Sequence, residues 1–145
     1  GLGDVYKRQT NLEKEGSGYV VASLGVDSGY VPYTCFSAKK SYVNKNAATV
    51  QKFTNALQKG MDYVAGHTPE EIAKVIKPQF KETDEATLET IISRYYSQDT
   101  WKTDLILQQD SFTLLEDILI DAGQLSDYVN YEDLVTTKFA EEAKK

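Results

Sequence analysis

Residues 16–63, GSGYVVASLGVDSGYVPYTCFSAKKSYVNKNAATVQKFTNALQKGMDY, contain the change of pattern on which the fold assignment turns. The run YVVASL at 19–24 is β-branched and apolar, which predicts a strand buried on both faces. Residues 25–29 carry turn chemistry, with Asp27 and Ser28 set between Gly25 and Gly29. A second extended segment is expected over 30–42, where Pro32 supplies no ladder donor and marks a strand start or an edge. Then the period changes. Asn46 is a suitable N-cap for a helix over about 47–65, in which Val50, Phe53, Leu57, Met61 and Val64 recur every three or four residues.

Beyond this stretch the pattern stays helical. Thr68-Pro69-Glu70-Glu71 combines a capping box with proline at the first helical position, and Ile72, Val75 and Ile76 follow as its apolar face up to about Pro78. Thr83 or Asp84 starts a further helix with Leu88, Ile91, Ile92 and Tyr95 inward. Ser111 starts another, with Leu114, Leu115, Ile118 and Leu119, and Gly123 stops it. Asn130 caps a last helix carrying Leu134, Val135 and Phe139. Upstream, residues 11–15 form a helix end stopped by Gly16 and Gly18. The expected class is therefore α/β, with two or three strands followed by five or so helices. Two strands do not make an independent sheet covered by helices, so residues 10–145 are expected to be one portion of a larger fold. Residues 1–9, GLGDVYKRQ, show no amphipathic pattern and are expected to be a non-native prefix.

Composition narrows the function classes. A chain of 145 residues with 41% hydrophobic and 26% charged residues is globular in type. A net charge of −6 argues against a phosphate-neutralising, nucleic-acid-binding surface. Uninterrupted apolar runs are only a few residues long, too short to span a bilayer. Cys35 is the sole cysteine, which excludes an internal disulfide and a multi-cysteine zinc site. Its apolar surroundings predict a small buried thiol. The sole histidine, His67, precedes a helix cap and is expected to be an exposed linker residue.

No catalytic signature stands out, and no cofactor or metal is expected. The glycines at 16, 18, 25 and 29 match neither the dinucleotide nor the P-loop spacing, and His67 has no nucleophile context. The pairs Glu70-Glu71 and Glu141-Glu142 lie at helix ends, where they complement the helix dipole or keep the surface soluble. Asp104, Asp110, Glu116 and Asp117 lack calcium-loop spacing. The segment DSGYVPYT at 27–34 is different, because it gathers a hydroxyl, a glycine and two tyrosines in one loop. Backbone N–H groups and phenols there can meet a small polar solute. The same residues would serve equally as a β-turn whose tyrosines pack on neighbouring helices. Tyr95, Tyr96 and Trp101 likewise suit either ligand stacking or the cover of a helical core.

Three segments carry a resemblance: LEKEGSGYVVASLG at 12–25, GYVPYT at 29–34 and TVQKFTNAL at 49–57. Together they resemble the solute-binding proteins of ABC importers for sulfonate, nitrate, taurine and thiamine-pyrimidine-like solutes. The resemblance implies the C-terminal part of a two-lobed, type II periplasmic-binding-protein fold. Residues 10–145 would hold the end of lobe 2, a hinge return near 25–32 and the C-terminal part of lobe 1. It places Ser28, Tyr30, Tyr33 and Thr34 near the ligand cleft, with Gly29 permitting close approach. It further implies a small-molecule solute and ABC permease subunits as partners, a monomeric whole protein, and no nucleic acid. The location would be extracytoplasmic, in a periplasm or as a cell-surface lipoprotein, with signal and anchor outside this sequence. The sequence departs from the pattern at Ala47, where similar proteins often carry proline. Alternatives are an enzyme of the related thiamine-pyrimidine synthesis branch and a stand-alone helical interaction module.

Overall fold

A computed structural model describes residues 10–145 of the chain. The prefix expected at 1–9 lies outside the described residues. Two compact units emerge, each built from two stretches of sequence. The first takes residues up to Asp27 together with Asp62–Lys102, and the second takes Ser28–Met61 with Thr103–Lys145.

The first unit is organised by two helices, α5 (Pro69–Ile76) and α6 (Glu85–Ser97), which pack on each other. Ile72, Ala73, Leu88 and Ile92 form its core, and Tyr63, Val64, Ile76 and Trp101 cover the edges. Burying each large aliphatic side chain contributes about 1.5–3 kcal/mol. Both helices start where their local chemistry dictates. The Glu71 N–H donates to Thr68 Oγ1 at 3.3 Å, while the Thr68 N–H donates to Glu71 Oε2 at 2.8 Å, closing the capping box. At α6 the Asp84 carboxylate accepts from the Thr87 N–H at 2.9 Å and from its hydroxyl at 2.6 Å. These bonds favour the charged form, so the Asp84 carboxyl sits below its ordinary pKa.

An N-terminal helix, α1 (10–14), lies on the same unit and ends at Gly16, whose φ of +68° suits glycine at a helix stop. Lys14 Nζ donates to Thr87 Oγ1 at 2.7 Å, and Arg94 binds both the Thr10 hydroxyl and the Glu13 carboxylate. A four-residue helical turn, α2 (Leu24–Asp27), closes this stretch.

The second unit holds α3 (Lys40–Lys45), the first part of α4 (Ala47–Gly66), α7 (Gln109–Asp121), α8 (Tyr131–Leu134) and α9 (Lys138–Ala143). Gln51 Nε2 donates to the Phe139 carbonyl at 2.9 Å, Gln58 Nε2 to the Thr103 carbonyl at 2.9 Å, and Lys144 Nζ to Asp104 at 2.6 Å. On α7 the buried Glu116 carboxylate accepts the Val129 N–H at 2.7 Å.

The α/β expectation is overturned, because no strand or sheet occurs among the described residues. Neither 19–24 nor 30–42 forms one. Residues 18–23 and 31–39 are irregular, and α2 and the first residues of α3 occupy the rest apart from a short bend. The physical reason lies in what β-propensity measures, which is a fit to a pleated, half-buried surface rather than a backbone preference. A strand also requires a partner ladder, and the described residues present none to these segments. Cys35, expected to be buried in a strand, is accordingly exposed.

Smaller departures have local causes. Asn46 precedes α4 as expected, and its carbonyl accepts from the Thr49 and Val50 N–H groups. Its side chain, however, donates to the Tyr42 carbonyl at 3.0 Å and so serves the end of α3. The helix expected after Asn130 is split at Val135, whose backbone is extended. Val135, Thr136 and Thr137 are three β-branched residues in a row, which cost helix stability through restricted χ1. Val75, expected inward, stands exposed on α5.

Candidate functional site

The candidate ligand residues Ser28, Gly29, Tyr30, Tyr33 and Thr34 lie in the second unit, just after α2. All five are exposed, with Tyr30 at 65% and Tyr33 at 76% of full accessibility. The segment turns at Gly29, where φ is +75°. The Val31 N–H donates back to the Gly29 carbonyl at 3.0 Å, a tight three-residue turn. A Cβ at Gly29 would sit 3.5 Å from Leu114 Cδ2, ordinary contact, so φ and not crowding sets the need for glycine. The turn thus brings Ser28, Gly29 and Tyr30 together and leaves Tyr33 and Thr34 on the irregular segment that follows.

A shallow, open groove of about 300 Å³ lies instead on the first unit, along Leu12, Glu13 and residues 18–22. Its one charged side chain, Glu13, is held by Arg94, which keeps that carboxyl below its usual range. Nothing in the sequence pattern points to a ligand role for this lining. Its one signal is the Tyr19-Val20-Val21 run, which as a local pattern predicts a strand buried on both faces.

The aromatic group resolves as the cover of a core. Tyr95 is buried and stacks on Trp101 with ring centres 5.1 Å apart, and Tyr96 meets the same indole edge-on at 5.4 Å. The Tyr96 hydroxyl donates to the Val64 and His67 carbonyls at the end of α4, and burial raises its pKa. His67 Nδ1 lies 2.7 Å from the Tyr63 carbonyl, and its ring stacks on Tyr63 at 3.7 Å. His67 therefore finishes α4 as a helix-end group, rather than standing free in a linker.

Elsewhere, Tyr128 donates to Asp117 at 2.6 Å, which with the local negative charge raises the phenol's pKa. The Lys144 ammonium beside Asp104 lowers that carboxyl. No group of three or more His, Cys, Asp or Glu side chains able to hold a metal occurs among the described residues. None of their helices is long and apolar enough to cross a membrane.

Comparison with known proteins gives one informative match. Over 138 residues, 94% of this chain, the sequence is 40% identical to "Putative binding protein YtlA" of Bacillus subtilis (strain 168). The chain spans only 41% of that relative's length. No family model matches the chain. No solved structure matches it either.

Proposed function

We propose that this chain belongs to the extracytoplasmic solute-binding component of an ABC importer, which captures a small organic or inorganic solute and hands it to membrane permease subunits. The observation that carries the reading is the 40% identity, over nearly the whole chain, to a relative described as a binding protein. The importer class and the solute range, sulfonate, nitrate, taurine or a pyrimidine, rest on the resemblance of residues 12–25, 29–34 and 49–57. A binding rather than catalytic role accords with the relative's description.

The contact residues proposed are Ser28, Tyr30, Tyr33 and Thr34, with Gly29 admitting the ligand close to the backbone. Exposed phenols and a hydroxyl on a turned segment offer donors, acceptors and an aromatic face to a small solute. The test is calorimetric titration of the chain and of the whole Bacillus subtilis relative with taurine, an alkanesulfonate, nitrate and an aminopyrimidine. One of these is expected to bind both proteins saturably, and the Tyr30→Ala/Tyr33→Ala chain is expected to lose it. If neither protein takes any of the four, the importer reading for these solutes falls. Binding to the relative alone would remove the assignment of residues 28–34 as a sufficient site.

A further inference from the structure

Two segments of this chain combine high apolar content with high exposure. On the first unit, Tyr19 and Val21 are 82% and 96% exposed, and Val20 is exposed beside them. On the second, Tyr33 and Phe36 each stand at 76%, following Tyr30. Asp27 is the one charged residue between Glu15 and Lys39, in a chain with 16 basic and 22 acidic residues. A macromolecular occupant recognised through apolar contacts with these segments is consequently neutral where it docks, because charged peptides and nucleic acid find no side-chain counter-charge there.

The segments gain nothing from regular structure of their own, since residues 18–23 and 31–39 belong to no helix or strand. Isolated apolar side chains at a surface are ordinary, but runs of them without charge mark surfaces that something covers. The match to the Bacillus subtilis relative takes in 94% of this chain, and so both segments, yet only 41% of the relative. More than half of that polypeptide thus lies outside the match.

From these observations we infer that residues 18–23 and 29–38 are docking surfaces for the polypeptide that the relative carries outside the matched region, through apolar contacts. The inference is independent of which solute is bound, and it stands even if none is. Phe36 supplies the most specific anchor. Its ring meets Phe53 of α4 edge-on at 4.9 Å, while most of its surface stays open. Large aromatic side chains of this kind bring much of the apolar area that docking buries.

The experiment compares hydrogen exchange, by mass spectrometry, in this 145-residue chain and in the whole relative. Amides of 18–23 and 29–38 are expected to exchange freely in the chain, while the aligned segments of the relative exchange at least about tenfold more slowly. The chain should also bind a hydrophobic dye, and Val21→Ser should reduce the dye signal with little or no shift in the midpoint of urea unfolding. Free exchange in both proteins would overturn the inference. So would protection in the chain alone: growing with concentration it would mean a second copy as occupant, and appearing only with neutral lipid vesicles it would mean a membrane surface.

Discussion

The α5–α6 pair and the stretch from Gly16 to Ala38 were both read from apolar residues, and the structure treats them in opposite ways. In the pair, Ile72, Leu88 and Ile92 are at most 3% exposed. In the stretch, Tyr19, Val21, Tyr33 and Phe36 are at least 76% exposed. A helix satisfies its own backbone, so a periodic apolar face needs only one neighbour to become a core. An extended segment has no internal hydrogen bonds and depends wholly on a partner ladder. Local sequence therefore suffices for the first kind of element and not for the second.

The largest expected effect sharpens that contrast. Ile92→Ala should cost about 2–5 kcal/mol in urea unfolding monitored by circular dichroism, because it opens a cavity in the first unit's core. A loss below about 1 kcal/mol would show the core to be loose. Next, Gly29→Ala forces a Cβ into the left-handed region at φ +75°, and should cost roughly 1–2 kcal/mol by the same measurement. Asp84→Ala removes the cap of α6 and should cost about 1 kcal/mol, with Asp84→Asn nearly neutral.

Acid gives a smaller and directional effect. The Asp104 carboxyl is lowered in the folded chain by Lys144, so its contribution is present above the ordinary carboxylate pKa of about 3.9 and is lost as pH falls through the lower folded value. Lys144→Met should flatten that part of the pH–stability curve while leaving stability under strongly acid conditions unchanged. The smallest expected effect is at Val21→Ser, where exposure of 96% limits the change to about 0.5 kcal/mol or less. A loss comparable to Ile92→Ala would mean that Val21 is packed, and the contrast would fail.

Much of the helical architecture was legible from residues alone. Thr68-Pro69-Glu70-Glu71 gave the start of α5, Asp84 that of α6, and Gly123, at φ +68°, the end of α7. Leu88, Ile91, Ile92 and Tyr95 all face inward as their spacing requires. Strand class was not legible, because YVVASL states a preference for a pleated surface without saying whether one is available. Asn130 does stand at the N-cap of α8, and α4 does start after Asn46, but the Asn46 side chain turns the other way. A short amide side chain can serve the turn before it as readily as the helix after it, as Asn46 does with Tyr42. The candidate site was legible only as composition: two phenols and a hydroxyl around a glycine, which the fold leaves open to solvent.

Backbone chemical shifts of the 145-residue chain test the central contrast most directly. Helical shifts are expected throughout Pro69–Ile76 and Glu85–Ser97, with coil shifts over 18–23 and 31–39. Strand-like shifts in those two segments, with cross-strand contacts between them, would contradict the account.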